Sequence, residues 1–294
     1  MTASPTPVAT VDVVVVTYNP GTTIVDFLAS VPDAATALGS VTVVDNASRD
    51  NGPEKAAADA GAGFVQTGRN AGYGAAANVG AREGSAPWIL ISNADIVLGP
   101  GAIDALVAAG EADPSIGAVG PLVRELDGSV YPSARPLPRL VMGAAHAVLS
   151  RAWRNNPWTR RYLVPLDPHG GRRHAQWLSG SCFIVRRSAW EEIGGFDETF
   201  FMFFEDVDLG RRLGRAGYGV VWEPAASVAH MGGHTWRSDP APMLKAHHAS
   251  ARKYVALAYP KWWHAPARGL ATAVLSARQR AEIARAARKG VLDD

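Results

Sequence analysis

Short runs of β-branched and aliphatic residues alternate with helical segments through the first 120 residues, and this alternation most constrains the fold. The predicted strands are Val13–Thr17, Val41–Val44, Phe64–Gln66 and Trp88–Ile91. Between the first two, the apolar residues from Ile24 to Val31 have the spacing of one helical face. Repeated strand–helix units predict an α/β fold with a mainly parallel central sheet and helices on both of its faces.

Acidic residues follow two of these strands. Asp45 comes directly after the second strand, and Asp95 comes shortly after the fourth. Ligands of such sheets bind beyond the carboxyl ends of the strands, so both carboxylates are expected at one crevice. Asp45 could accept hydrogen bonds from a nucleobase or a ribose, or it could form an ordinary Asx turn. Asp95 could bind a divalent cation, or it could cap a helix that begins at Pro100.

The loop from Asn70 to Asn78 is rich in glycine and alanine. Small residues before a helix let a ligand approach the backbone closely, and a helix N-terminus attracts anions. Close packing of the helix on a strand explains the same residues equally well. The loop matches neither a dinucleotide-binding fingerprint nor a Walker loop.

Three acids crowd the start of a predicted helix over Glu205–Ala216, directly after an aromatic run. Acids are favourable at a helix N-terminus, so capping alone accounts for them. A carboxyl group beside an aromatic wall can also have a raised pKa and act as a general base. Asp206 is our candidate for this base. His230, followed by His234, is a candidate metal ligand, although a single histidine is more often structural.

The rest of the chain is assigned in less detail. The assignments are a hairpin turn at Asp127-Gly128, strands at Ser181–Arg186, Tyr218–Trp222 and Ser227–His230, and mostly helix beyond Pro240. Residues 133–176 show no clear pattern.

Composition argues against nucleic-acid binding, an intramolecular disulfide and a membrane-spanning segment. The formal net charge of +2 does not favour nucleic-acid binding. The single cysteine, Cys182, excludes an intramolecular disulfide and fits a reducing compartment. No apolar run in the sequence approaches the roughly 20 residues that span a bilayer. Residues 1–10 have no positive charge and no signal-peptide core, so we expect a cytoplasmic protein with a flexible N-terminus over these residues.

Taken together and in order, the motifs resemble the inverting family-two glycosyltransferases, which have the GT-A fold. The matching segments are Val15–Asn19, Val44–Ser48, Asn70–Gly74, Asn93–Asp95, Gly194–Glu198 and Glu205–Leu209. The resemblance covers residues 11–235 and predicts a catalytic domain over residues 11–239. It implies a single displacement that inverts the configuration at the anomeric carbon of the sugar. It also implies a divalent metal, Mg²⁺ or Mn²⁺.

Further segments resemble the rhamnosyltransferases of the actinobacterial cell-wall linker, namely Gly128–Arg135, Asn156–Thr159 and Trp177–Cys182. That family transfers L-rhamnose from dTDP-rhamnose to N-acetylglucosaminyl-diphosphoryl-polyprenol. The resemblance implies nucleotide binding by Thr17, Tyr18, Asn19, Asp45, Asn70, Gly72 and Asn93. It also implies metal binding by Asp95 and His230, acceptor binding by Gly180, Ser181 and Glu205, and proton abstraction by Asp206.

One position departs from the family pattern. The metal motif of the family is commonly Asp-X-Asp, whereas Asn93 occupies its first position in this chain. Asparagine offers only a neutral carbonyl, so Asp95 and the substrate phosphates would supply the negative charge.

Residues 240–294 are predicted to form a basic, helical extension. Between residues 252 and 289 there are nine lysine and arginine residues but only one acid, Glu282. The pair Trp262-Trp263 lies near the start of this stretch, and aromatic residues beside positive charge favour a membrane surface. A solvated helix packed on the catalytic domain is the alternative. A polyprenyl-linked acceptor would stay in the bilayer, which favours peripheral attachment to the inner face of the plasma membrane.

Three alternatives stay open. Another nucleotide-sugar, carrying galactofuranose or a hexose, would keep the family and change the donor. A nucleotidyltransferase would use a similar sheet and cation but would release pyrophosphate. A non-catalytic module would bind nucleotide-sugars or membranes without turnover. The sequence leaves the oligomeric state open, a homo-oligomer included.

Overall fold

The computed structural model describes residues 10–138, 166–232 and 240–290. The strands are β1 Val11–Thr17, β2 Leu38–Asp45, β3 Gly63–Gln66, β4 Trp88–Asn93, β5 Ile96–Leu98, β6 Ile116–Glu125, β7 Val130–Tyr131, β8 Ala134–Arg135, β9 Arg173–Ala175, β10 Trp177–Leu178, β11 Cys182–Arg186 and β12 Gly219–His230. The helices are α1 Thr23–Ala34, α2 Gly52–Asp59, α3 Tyr73–Ala81, α4 Ala102–Glu111, α5 Arg187–Ile193, α6 Glu205–Arg215, α7 Pro240–Ala258 and α8 Ala265–Gly290. The motif Asn156–Thr159 and the candidate His234 lie outside the described residues.

The central sheet has the strand order β3-β2-β1-β4-β11-β6-β12-β5, with β7 on β6 and β9 on β12. β1 pairs in parallel with both β2 and β4, and the long β6–β12 ladder is also parallel. The sheet is therefore mostly parallel, as predicted. β11 runs antiparallel between β4 and β6, an arrangement that the sequence pattern did not indicate.

Helices cover both faces of the sheet, which confirms the predicted α/β architecture. Alternate valines of β1 enter different cores. Val13 and Val15 share a core with α1 and α4, whereas Val14 and Val16 share a core with α3 and α6. Because β1 is buried on both faces, its sequence is a continuous apolar run. Burying each valine side chain stabilises the fold by about 1.5–3 kcal/mol, so the carboxyl end of β1 is firmly held.

The prediction that Pro100 begins a helix is wrong. Helix α4 begins at Ala102, two residues later. Gly101 has a left-handed backbone with φ of 66°, and its N–H donates to the Asp33 carbonyl at 2.9 Å. That conformation cannot be the first residue of a right-handed helix, so Pro100 belongs to the preceding turn.

The two predicted late strands are a single strand, β12. Its ladder with β6 is irregular between Glu223 and Ser227, where Pro224 has no N–H to donate. The Ala225 N–H donates instead to Glu223 Oε1 at 3.0 Å, and pairing then resumes. The predicted hairpin at Asp127-Gly128 is confirmed, since β6 and β7 pair antiparallel around it.

Helices α7 and α8 form an antiparallel pair, called here the C-terminal hairpin. Arg252 Nη1 donates to Gln279 Oε1 at 2.8 Å, and His248 Nε2 lies 2.9 Å from Glu282 Oε2. The segment beyond Pro240 is thus helical as predicted, while its separation from the catalytic domain at residue 239 stays a prediction. Across the described ranges, no helix has both the length and the apolar character needed to span a membrane.

Candidate active site

The ends of three strands form one edge of the sheet. Thr17, the last residue of β1, pairs with Asp45 at the end of β2. Val16 pairs with Asn93 at the end of β4. The parallel ladders therefore bring three of the predicted nucleotide-binding residues into one row. This is the edge at which open α/β sheets bind their ligands.

Asp45 is buried at this edge, and its carboxylate has partners within the chain. Its Oδ1 accepts hydrogen bonds from the Thr17 hydroxyl at 2.8 Å and the Ser48 hydroxyl at 2.5 Å. Its Oδ2 accepts the Ser48 N–H at 2.9 Å. Asp45 thus stabilises a turn, as one of the two sequence interpretations expected. Tyr18 and Asn19, which follow β1, are the exposed neighbours of this turn.

Asn46 ties this turn to the loop before α3, and sequence reasoning missed its role. Its Nδ2 donates to Asn70 Oδ1 at 2.9 Å and to the Gly72 carbonyl at 3.2 Å. Gly72 has φ of 99°, and a Cβ there would overlap the Phe201 backbone. Asn70 and Gly72 are thereby fixed next to the Asp45 turn. The signal that could have found Asn46 is an asparagine directly after a strand-end aspartate.

Asp95 and His230 meet where β5 pairs with β12. Asp95 Oδ2 lies 3.3 Å from His230 Nε2, so Asp95 faces the imidazole and does not cap α4. Asp95 Oδ1 is buried and has no hydrogen-bond partner within the described ranges. His230 Nδ1 lies 3.3 Å from Glu125 Oε1. Glu125 was missed because only the β6–β12 ladder places it opposite His230.

The charge around His230 is negative. The hydrogen bond to Asp95 raises the pKa of His230 to about 9, and Glu125 adds to the effect. In the part of the chain that the structure describes, no group of three or more His, Cys, Asp or Glu side chains is arranged to hold a metal. Asp95 Oδ1, which has no donor in the described ranges, fits a divalent cation that takes its other ligands from a substrate, and His230 can join it only by giving up the proton that its raised pKa retains.

Glu205 and Asp206 begin helix α6, and burial perturbs both carboxyl groups. Glu205 is only 6% exposed, and its Oε2 has no hydrogen-bond partner in residues 10–138, 166–232 and 240–290. Burial, together with the negative charge of Asp206, raises the pKa of Glu205 to about 8. Burial also raises the pKa of Asp206, although hydrogen bonds from Gly180 and Val207 act against it. A carboxylate with a raised pKa is the better proton acceptor near neutral pH.

Gly180 holds Asp206 in place. The Gly180 N–H donates to Asp206 Oδ2 at 3.0 Å, and the Gly180 carbonyl accepts the Tyr73 hydroxyl at 2.5 Å. Ser181 accepts the Asn93 N–H on its carbonyl at 2.9 Å. The backbone before β11 therefore links the acids of α6 with the end of β4. Sequence reasoning missed Tyr73, whose pKa burial and Glu205 hold well above its ordinary value, so it stays a donor.

Asp208, the third acid of the cluster, has a structural role. It is fully buried, and its two oxygens accept hydrogen bonds from Arg211 Nη2 at 2.5 Å and Arg212 Nε at 2.6 Å. Both arginines lie one turn further along α6, so Asp208 is neutralised within its own helix. Asp208 is therefore paired with arginines, whereas Asp206 accepts backbone N–H groups and Glu205 Oε2 has no partner in the described ranges.

A family model described as Glycosyl transferase family 2 matches residues 12–194. The chain belongs to this family. A second model, described as Glycosyl transferase family group 2, matches residues 170–269. The transferase is 46% identical over 269 residues to the N-acetylglucosaminyl-diphospho-decaprenol L-rhamnosyltransferase of Mycobacterium tuberculosis strain H37Rv, a match that covers 87% of each chain.

Two solved structures share the fold of this transferase. The mannosyltransferase PcManGT of Pyrobaculum calidifontis, in complex with GDP-Man and Mn²⁺, matches with a TM-score of 0.60 and 18% identity. That match covers 98% of this chain and 82% of the other. GalNAc-T7, solved with UDP, GalNAc and Mn²⁺, matches with a TM-score of 0.61 and 19% identity, over 84% of this chain and 48% of that protein. These likenesses confirm the predicted GT-A fold.

Proposed function

We propose that this transferase moves L-rhamnose from dTDP-rhamnose to N-acetylglucosaminyl-diphosphoryl-polyprenol, with inversion of configuration at C1 of rhamnose. The observation that carries the proposal is the 46% identity to the M. tuberculosis enzyme, whose name gives both the sugar and the lipid-linked acceptor. The match covers 87% of both chains. The choice of dTDP-rhamnose as the donor rests on the resemblance of the sequence motifs to the cell-wall linker rhamnosyltransferases.

Asp206 is the proposed base. An acceptor hydroxyl oxygen attacks C1 of rhamnose, the bond from C1 to the diphosphate oxygen breaks, and the hydroxyl proton passes to Asp206. Attack opposite the leaving group inverts C1. The raised pKa of Asp206 and its fixed position against the Gly180 N–H support this role. Gly180, Ser181 and Glu205 would line the acceptor side.

The donor is proposed to bind along the edge formed by β1, β2 and β4. The nucleotide would contact Thr17, Tyr18, Asn19, Asp45, Asn70, Gly72 and Asn93. Asp95 and His230 would hold a divalent metal, Mg²⁺ or Mn²⁺, which neutralises charge on the departing diphosphate. The unpartnered Asp95 Oδ1 supports this assignment.

The C-terminal hairpin is proposed to rest on the inner face of the plasma membrane, where the acceptor lipid lies. Trp262 and Trp263, in the turn between α7 and α8, are 80% and 54% exposed. Residues 240–290 contain ten lysine and arginine residues and one acid, Glu282. Exposed tryptophans beside positive charge suit an anionic lipid surface.

The test is transfer by the purified protein from dTDP-rhamnose to a lipid-linked N-acetylglucosaminyl diphosphate, with and without EDTA. We expect a rhamnosylated product that EDTA abolishes and that added Mg²⁺ or Mn²⁺ restores. Turnover only with a galactofuranose or hexose donor would keep the family and reject rhamnose. Binding of nucleotide-sugars without turnover of any of them would reject the proposal that the protein is an enzyme. Sedimentation with anionic and with neutral vesicles tests the membrane surface.

A further inference from the structure

The turn that leads into the acids of α6 has an unusual backbone. Phe203 and Phe204, directly before Glu205, both have positive φ angles, of 66° and 64°. Residues with a bulky side chain rarely adopt this left-handed region, because the Cβ atom crowds the backbone. Two in succession persist only where the surrounding structure holds them.

Helix α7 of the C-terminal hairpin supplies contacts that hold this turn. Ser250 Oγ donates to the carbonyl of Met202, directly before the two phenylalanines, at 2.7 Å. The His247 ring packs edge-on against Phe203 and Phe204, with 5.4 Å between ring centroids in both cases. Burial lowers the pKa of His247 to about 4, so a neutral ring packs against the two apolar ones.

The same helix also contacts the residues on either side of the turn. Tyr254 is 3% exposed, lies 5.6 Å from the Phe204 ring, and shares an apolar cluster with Phe200 and Val207. Val207 belongs to the first turn of α6, next to Asp206. Helix α7 therefore packs on the chain before, within and after the left-handed turn.

We propose that Ser250 and His247 are positioning residues of the active site, which hold residues 202–204 so that Asp206, in the first turn of α6, accepts the Gly180 N–H. The proposal deepens the proposed transferase function and rests on it. The sequence predicts α7 as part of a basic extension. In this proposal, α7 also holds the start of α6, which carries Glu205 and Asp206.

The first test is Ser250→Ala in the whole 294-residue chain, which removes the hydroxyl that donates a hydrogen bond to the Met202 carbonyl. We expect kcat to fall about five- to tenfold, the value of one hydrogen bond. The KM for the nucleotide-sugar should change by less than about twofold, because its proposed binding edge is formed by β1, β2 and β4, not by α6 or α7. Ser250→Thr keeps a hydroxyl and should recover most of kcat. Thr272→Ala, which removes an exposed hydroxyl from α8, is the matched control and should change neither constant.

The second test uses Phe203→Asn, because asparagine adopts the left-handed region more readily than phenylalanine. The variant loses the Phe203 ring contact with His247 but keeps that of Phe204, and its left-handed backbone costs less, so Ser250→Ala in this background should lower kcat by only about twofold. An equal loss in both backgrounds, or full activity of Ser250→Ala alone, would overturn the proposal.

Hydrogen exchange separates this proposal from the transferase function. The amides of residues 202–206 should exchange faster in Ser250→Ala than in the wild type, whether or not transfer is detected. Unchanged exchange at these amides would reject the positioning role. Absence of transfer by the wild type, with faster exchange in the variant, would reject only the transferase function.

Discussion

Buried carboxylates lie at both ends of the parallel strands, called here the amino edge and the carboxyl edge of the sheet. They differ in how many hydrogen bonds they accept. At the amino edge, Asp12 of β1 is 3% exposed and all its acceptor positions are used. Its Oδ1 accepts from Ser40 at 2.7 and 2.8 Å, and its Oδ2 accepts from the Ala86 N–H at 2.7 Å and Arg187 Nη2 at 2.8 Å. At the carboxyl edge, Asp95 and Glu205 each have a buried oxygen without a partner in the described ranges.

The difference appears in the pKa values. Burial alone would raise the pKa of Asp12, but the hydrogen bonds from Ser40 and Ala86 outweigh burial and hold it below its ordinary value. Glu205 has no such set of donors, and burial raises its pKa to about 8. A satisfied buried carboxylate stabilises the fold, whereas an unsatisfied one costs stability and is retained where a ligand or a proton binds.

The largest expected effect is on catalysis at the carboxyl edge. Asp206→Asn should lower kcat by about 10²–10⁴-fold, the usual contribution of a general base. The asparagine Oδ1 can still accept the Gly180 N–H but the bond from the Val207 N–H is lost, so the free energy of unfolding should fall by no more than about 1–2 kcal/mol. Initial rates of rhamnosyl transfer and urea unfolding measure the two quantities. Transfer near the wild-type rate would reject Asp206 as the base.

The next effect is on stability at the amino edge. Asp12→Ala leaves the Arg187 guanidinium and three other donors without their acceptor, so unfolding should become easier by about 3–5 kcal/mol. The folded fraction should keep its kcat, since Asp12 lies at the amino end of β1, opposite the carboxyl end at which the candidate site lies. Urea unfolding measures the loss, and Asp59→Asn, at an exposed aspartate of α2, should change stability by less than about 0.5 kcal/mol. An Asp12→Ala variant with wild-type stability would remove the contrast between the edges.

The third expected effect is a pH dependence that belongs to Glu205. Its pKa of about 8 in the folded chain lies above the ordinary value of 4.5, so the folded chain holds a proton that the unfolded chain releases. This contribution to stability is complete below the unfolded value and is lost as the pH rises through about 8. Wild-type thermal stability should therefore decline across this range relative to Glu205→Gln. Parallel melting-temperature profiles for the two proteins would contradict the raised pKa.

Much of the fold follows from local patterns in the sequence. The continuous valine run of β1 indicates burial on both faces, and the helices between strands require parallel pairing. Parallel pairing is enough to place Asp45 and Asn93 at one edge of the sheet. The antiparallel insertion of β11 between β4 and β6 leaves no local mark, because strand order depends on which distant segments share a core. The same holds for β12, where Pro224 interrupts the pattern but not the strand.

The site divides in the same way. The residue types at Asp95, His230, Glu205 and Asp206 indicate metal and proton chemistry, and their roles stay proposals. Their partners were not foreseen, because Glu125 reaches His230, and Tyr73 reaches Gly180, only through contacts between segments about 100 residues apart.

The sequence by itself determined the α/β class, the family and the strand ends that carry the candidate ligands. These depend on periodicity and on short motifs, which neighbouring residues encode. Only the tertiary structure decided which carboxylates are satisfied and which are left open. Asp12 and Glu205 are both acids next to apolar residues, and the supply of donors from distant segments makes one structural and leaves the other available for chemistry.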